Sequence, residues 1–235
     1  MELEGFTGRV ALVTGGAGGI GATIAKTLRD LGALVAVGDI SVPDHEGIMG
    51  LSLDVTAEES VRTAVDTVVQ ELGPPTILVL NAGIFPIEPF EETSLASFDR
   101  TLRVNLTGAF LCAREVLPHM REAGYGRVLT LGSSAGITGG SRNVAAYGAS
   151  KAGVMALTKA IATEYAPHGI TANSLAPALI NTDMVTGIAD MVGRIPVGRL
   201  GEAHDVADIA AFLCSTHAGY ITGAVVDVNG GFLIH

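Results

Sequence analysis

Tyr147 and Lys151 stand four residues apart in Tyr147-Gly-Ala-Ser-Lys151, so on a helix both side chains share one face. A phenol ordinarily releases its proton near pH 10, and a neighbouring ammonium stabilises the phenolate and brings that value down. The pair is therefore suited to handing a proton to an oxygen on which negative charge develops. Ser134, thirteen residues before Tyr147, follows an apolar run and can hydrogen-bond the same oxygen. A second chemistry lies near the start of the chain. Thr14-Gly15-Gly16-Ala17-Gly18-Gly19-Ile20-Gly21 is a Gly-x-x-x-Gly-x-Gly turn, whose unshielded backbone N–H groups can approach a pyrophosphate. Such turns also serve S-adenosylmethionine sites and plain tight turns. Here an apolar run precedes the turn and a helical pattern follows it. Asp39 comes eighteen residues after Gly21, near the separation of about 20 at which an acidic residue reaches adenosine ribose hydroxyls.

The elements that must position these groups follow from the apolar pattern. Arg9 to Thr14, Ala33 to Gly38, Met49 to Leu53, Thr76 to Leu80, Arg127 to Leu131, Ile170 to Leu175 and Ala224 to Val228 are short continuous apolar runs. Strands of that kind are covered on both faces, hence parallel. Ile20, Ile24, Leu28 and Leu31 form a helical stripe after the first strand. Thr56 and Glu59 have the spacing of a capping box ahead of the stripe Val61, Val65, Val68 and Leu72. Further helices are predicted over Leu95 to Met120, Tyr147 to Tyr165 and Ala203 to Cys214, whereas Ile40 to Ile48, with Pro43 and Gly47, is too short for a helical crossover and predicts a loop or single turn. Strand and helix alternating over the whole length give an α/β fold of Rossmann type, a single doubly wound parallel seven-stranded sheet with helices on both faces. Ligands then bind at the carboxyl ends of the strands. One domain over residues 1–235 is expected.

Composition narrows the partners. Ten more acidic than basic side chains disfavour nucleic acid, which would meet net repulsion. Charged residues make up 16%, against about 25% in ordinary domains, so the polar residues barely cover a monomer and association is expected. The acidic start Met1-Glu2-Leu3-Glu4 lacks the basic region of a secretory signal, and no apolar run is long enough for a membrane span. Cys112 and Cys214 sit apart in apolar stretches, which fits a reducing, cytoplasmic setting. The histidines at 45, 119, 168, 204, 217 and 235 lack the spacing of a helical zinc pair, and no metal is expected.

From Gly8 to about Phe232 the chain resembles the short-chain dehydrogenase/reductase family. The resemblance rests on the turn from Thr14 to Gly21, Asn81-Ala82-Gly83, Asn105, Ser134, Tyr147 with Lys151, Pro177 and Thr182, all in order. The ending from Tyr220-Ile-Thr-Gly223 to Val228-Asn-Gly-Gly231 is similar to the family's single-domain branch. The resemblance implies an oxidoreductase that interconverts a secondary alcohol and a ketone by hydride transfer to or from NAD. It implies Tyr147 as proton donor and acceptor, Ser134 on the substrate oxygen, Lys151 on the phenolate and the nicotinamide ribose, and Asn105 holding a water that continues a proton relay. The residues alone leave open that Asn105 simply satisfies backbone groups at a helix irregularity. Gly15, Gly18, Gly19, Ile20 and Gly21 would meet the pyrophosphate and Asp39 the ribose. Asp54 and Val55 would bracket the adenine, Asn81, Ala82 and Gly83 would pass under the adenosine ribose, and Pro177, Ile180 and Thr182 would reach the nicotinamide and the phosphates. Ala178 departs from the glycine usual after Pro177.

NAD is expected over NADP, because Asp39 repels a 2′-phosphate and no Lys or Arg occupies Gly16 to Gly18 or the two positions after Asp39. The substrate is expected to be a small or medium apolar ketone or its alcohol. Its wall would comprise Ile84, Phe85, Ala135, Ile137, Met184, Val185 and Ile188, with Asn143 almost the only polar group, under a lid from Asp183 to Arg194 hinged at Gly187 and Gly193. The runner-up is a reductase of 3-oxoacyl chains on acyl carrier protein. Gly124 and His168 stand where basic residues would meet that acidic partner, and the net charge opposes it. A dinucleotide-sensing regulator needs no proton donor, and a methyltransferase has no use for the Tyr and Lys pair. The family leads one to expect a homotetramer, or a homodimer, formed through helices around Leu102 to Leu117 and Gly153 to Tyr165.

Overall fold

Successive residues of a strand point to opposite sides of its sheet, and all five residues of β1 (Val10–Thr14) are buried, so this strand has to be covered twice. The computed structural model, which describes residues 3–42, 44–140, 142–182 and 189–234, shows both covers. The helices are α1 (Gly19–Asp30), α2 (Glu58–Glu71), α3 (Leu95–Leu102), α4 (Gly108–Ala123), α5 (Ser134–Thr138), α6 (Ala145–Tyr165) and α7 (Ala203–Cys214). Leu12, Leu78 and Val128 pack on one side with Val65 and Val68 of α2, Cys112 and Val116 of α4, and Val154 and Ile161 of α6. Ala11, Val13, Val79 and Leu129 pack on the other with Ile24 and Leu28 of α1 and Val206 and Ala210 of α7.

The remaining strands are β2 (Leu34–Asp39), β3 (Met49–Ser52), β4 (Pro75–Leu80), β5 (Gly126–Leu131), β6 (Ile170–Pro177) and β7 (Val225–Val228). Among the described residues the sheet has seven strands in the order β3-β2-β1-β4-β5-β6-β7, every neighbouring pair parallel. The direction of winding reverses between β1 and β4, which opens a crevice at their carboxyl ends. In the connection between β2 and β3, His45 and Ile48 bridge a turn at Glu46 and Gly47, and no helix occurs among its described residues. Among the described residues no helix is long and apolar enough to cross a membrane.

Two local expectations are corrected. Thr56 does not cap α2: its hydroxyl and its N–H both donate to Asp54 Oδ1, at 2.7 and 2.9 Å, and the helix starts after Ala57. The carboxylate two residues upstream captures Thr56 in a tight local turn before the helix can use it. The helix predicted over Leu95 to Met120 is interrupted at Arg103–Thr107 by a π-turn, after which α4 runs on to Ala123. The acidic start at Met1 and Glu2, Pro43, and the lid residues Asp183, Met184, Val185, Gly187 and Ile188 lie outside the described residues, as does His235.

Candidate functional site

Thr14 ends β1 with its hydroxyl turned toward β4. It accepts from the N–H groups of Asn81 at 3.1 Å and Ala82 at 3.2 Å, and donates to Val79 O at 3.4 Å. Asn81 returns the contact, its Nδ2 donating to Gly15 O at 2.6 Å and Thr14 O at 3.2 Å. These bonds tie the ends of the two strands together where the crevice opens, and they leave the Asn81 side chain occupied with backbone. Gly15 has φ +67°, and a Cβ there would run into the Ala82 backbone at 2.6 Å. A side chain on Gly21 would collide with Gly15 O and Asn81 Nδ2. Gly21 therefore lies behind the turn as a packing residue, while Gly15, Gly18, Gly19 and Ile20 face the cavity.

That cavity has a volume of about 1290 Å³ and runs along the carboxyl ends of the strands. At the β2 and β3 end it is lined by Asp39, Asp54 and Val55, and at the β5 and β6 end by Ser133, Ser134, Tyr147, Lys151, Pro177, Ile180 and Thr182. Helix α1 begins at its wall with no side chain capping it and no acidic residue in its first turn, and nothing lies within 4 Å of where a Gly18 side chain would be. The free N–H groups and the space in front of them fit a pyrophosphate. Asp39 is held at the turn by accepting from Ala17 N at 3.1 Å. The Thr56 hydrogen bonds hold the Asp54 carboxyl below its usual range. Asn81, Ala82 and Gly83 form the floor between the two ends. His45 Nε2 lies 3.0 Å from Gly16 O behind the turn.

Tyr147 and Lys151 both rise from the first turns of α6 into the cavity. Ser133, rather than Ser134, is the serine that pulls on the Tyr147 phenol, and both serines line the cavity. Ser133 is the N-cap of α5, where its extended backbone directs the hydroxyl back over the strand end, and it accepts from Ala135 N at 3.1 Å. Ser134 is already the first helical residue, and its carbonyl receives the Thr138 hydroxyl at 3.1 Å. Phe85 meets the Tyr147 ring edge-on with centroids 4.6 Å apart. Lys151, almost fully buried, lies with Nζ 5.7 Å from the Tyr147 ring centroid and donates to Leu131 O at 2.5 Å.

Burial dominates the electrostatics of this pair. Burial pushes the Tyr147 phenol above its ordinary value, against the pull of the Ser133 hydrogen bond. Burial likewise pushes Lys151 down to about 8. Each group, taken out of water, favours its neutral form. Asn105 is buried at the π-turn with both ends of its amide in use. Its Oδ1 accepts from Ile84 N at 2.8 Å, and its Nδ2 donates to Ile84 O and Ser150 Oγ, both at 3.0 Å. Ser150 Oγ in turn donates to Tyr147 O at 2.7 Å. The Asn105 amide thus joins the Ile84 backbone to Ser150 and fixes the first turns of α6.

Several groups escaped the sequence reading. Leu179, Met191, Arg194 and Phe232 also line the cavity, whereas Ile137 and Asn143 do not. Asn143 adopts φ +68°, which asparagine tolerates well, and its carbonyl accepts from Glu88 N at 2.7 Å. Ala178 is tied by its N–H to Val228 O at 3.2 Å, and the left-handed position in this segment falls on the next residue, Leu179, with φ +53°.

A family model described as "Enoyl-(Acyl carrier protein) reductase" matches residues 15–233. The chain is 38% identical to the cis-4-hydroxycyclohexanecarboxylate dehydrogenase of Sinomonas cyclohexanicum, over 97% of this chain and 98% of that protein. It is 36% identical to the 3-oxoacyl-[acyl-carrier-protein] reductase of Aquifex aeolicus, over 98% and 99%. The crystal structure of the 3-ketoacyl-(acyl-carrier-protein) reductase of Brucella melitensis complexed with NADH superimposes with a TM-score of 0.92 at 34% identity, covering 97% of this chain and 99% of that one. With the dinucleotide turn, the tyrosine and lysine pair and the strand order all in place, the chain belongs to the short-chain dehydrogenase/reductase family of nicotinamide dinucleotide oxidoreductases.

Proposed function

We propose that residues 1–235 act as one nucleotide-binding and catalytic domain that interconverts a secondary alcohol and a ketone with NAD(H). The observation that carries this reading is the meeting of Ser133, Tyr147 and Lys151 in the same cavity as the uncapped start of α1. The dinucleotide, when bound, supplies or takes up the hydride. In the reducing direction Ser133 holds the carbonyl oxygen beside the Tyr147 hydroxyl, and the phenol gives its proton to that oxygen as negative charge builds on it. Burial keeps the phenol protonated and so ready as an acid. The Lys151 ammonium offsets the charge of the phenolate left behind, and Asn105 positions both through Ser150 and the start of α6.

Ser133 takes the role that counting back from Tyr147 assigned to Ser134. Ser133→Ala is expected to lower kcat/KM by about 10²-fold, the order of one oxyanion-directed donor, and Ser134→Ala to leave it within a few-fold. Steady-state rates of the two variants check this, and the reverse order of effects would return the role to Ser134.

We further propose NAD over NADP. Asp39 is fixed at the ribose end by Ala17 N, where its charge opposes a 2′-phosphate. The specificity constant for NADH should exceed that for NADPH by about 10²-fold, and Asp39→Ala should cut the ratio at least tenfold, equivalent to about 1.4 kcal/mol. Parity between the two cofactors in the parent enzyme would overturn the assignment.

Ile84, Phe85, Ala135 and Val144 give the substrate end an apolar wall, which favours a small or medium ring ketone or its alcohol. The Sinomonas relative is named for a hydroxycyclohexanecarboxylate substrate. The second reading, reduction of 3-oxoacyl chains on a carrier protein, is favoured by the names of the Aquifex and Brucella proteins. Gly124 and His168, and an excess of ten acidic residues, speak against an acidic carrier. NADH turnover with cyclic ketones against a 3-oxoacyl thioester at matched concentrations separates the two. For assembly we propose a homotetramer, or a homodimer, in line with the exposed Phe90, Leu95 and Phe110 around α3 and α4.

A further inference from the structure

Several cations line the cavity, and Arg194 is one that has no part in the chemistry above. Arg194 closes the short helical turn Ala189–Arg194, its guanidinium 5.3 Å from the centroid of the Phe232 ring and its Nη1 3.7 Å from Met191 Sδ. None of the ion pairs among the described residues involves it. The other lining cations differ. Lys151 donates to Leu131 O, and Arg103 donates twice to Thr56 O beside Asp54 at the adenine end, with Arg100 one helical turn before it. A thioether and an aromatic face are weak acceptors, so they orient the Arg194 fork without saturating its five N–H donors. A planar guanidinium held in this way is matched to a carboxylate.

Its place in the fold sets Arg194 apart from the reacting groups. Val197 N donates to Gly230 O at 3.1 Å, which fastens the segment carrying Arg194 to the end of β7. Ser133 follows β5, two strands away along the sheet. Ala178, Leu179 and Ile180 form an apolar floor in between at the end of β6.

We propose that Arg194 anchors a carboxylate of the substrate, so that the substrate class is a hydroxy or oxo carboxylic acid and not a neutral ketone. This rests on the oxidoreductase reading given above. The probes are 4-oxocyclohexanecarboxylate and its methyl ester, which differ in the anion alone. Parent protein should show kcat/KM with NADH about tenfold higher for the acid, the order of one charge-assisted contact. Arg194→Gln should bring the ratio near unity, and Arg194→Lys should retain part of it. Calorimetric titration of both compounds into NAD-loaded protein should show the same preference and its loss. A parent with no preference for the acid, or an Arg194→Gln protein that keeps the preference, overturns the anchor. Hydride transfer to either ketone reports the underlying activity separately, because the titration reads the anchor even where neither compound is reduced. A third arm uses 3-oxobutanoyl-CoA: if Arg194→Gln abolishes its binding while the acid and ester are unaffected, Arg194 serves a carrier phosphate and the proposal falls.

Discussion

Tyr147→Phe should lose about 10³ in kcat while the dissociation constant for NADH stays within a few-fold of the parent. The substitution deletes one oxygen. That oxygen is the proton donor, a role contributing typically 10²- to 10⁴-fold, whereas the ring and its edge contact with Phe85 remain. Burial makes the effect hard to rescue, because water in bulk cannot replace a donor held at the Ser133 hydroxyl. NADH absorbance gives the rate and fluorescence titration the binding. Parent-like turnover in the variant would remove Tyr147 from the mechanism and favour a dinucleotide-binding protein without this chemistry.

Lys151→Met should lose at least 10² in kcat and also change how stability depends on pH. Burial holds the lysine near 8 against an ordinary value of about 10.4. Between those values the unfolded chain binds a proton that the folded one does not, so the parent gains stability as pH rises. The cost of the buried ammonium, up to about 3 kcal/mol at 1.36 kcal/mol per pH unit, is fully present below pH 8 and fades toward pH 10.4. Methionine has no such term, although it leaves Leu131 O without the lysine's hydrogen bond. Relative to Lys151→Met, the parent should therefore gain about 2 kcal/mol between pH 7 and 9.5, measured by urea unfolding without dinucleotide. A difference that stays constant with pH would show that the ammonium is not desolvated in the fold. The same value near 8 predicts that ketone reduction weakens above pH 8, as the phenolate loses its counter-charge.

The parallel sheet, its seven strands and the dinucleotide turn were legible because continuous apolar runs and glycines report backbone geometry directly. Asp39 at a strand end and the shared face of Tyr147 and Lys151 are of the same kind. What escaped depended on local competition. Ser133 and Ser134 are indistinguishable by composition, and the choice between them is made by α5, a five-residue helix too short and too rich in small residues to leave a periodic signal. The Thr56 to Glu59 spacing was a genuine capping pattern that Asp54 pre-empted. Arg194 enters the cavity only because its segment pairs with the end of β7, a contact no local pattern encodes.

The π-turn at Arg103–Thr107 acts on the helix as a phase shifter. Helices α3 and α4 run end to end through it, and one additional residue in the winding rotates everything downstream by about 100° relative to an uninterrupted α-helix. Upstream, α3 packs against α6, and within the turn Asn105 locks Ser150; downstream, Leu111, Cys112 and Val116 address the sheet. Deleting a single residue here would therefore behave as a change of angular register. The apolar stripe of α4 would turn off the sheet although every side chain in it was still present, and the damage would appear far from the cavity.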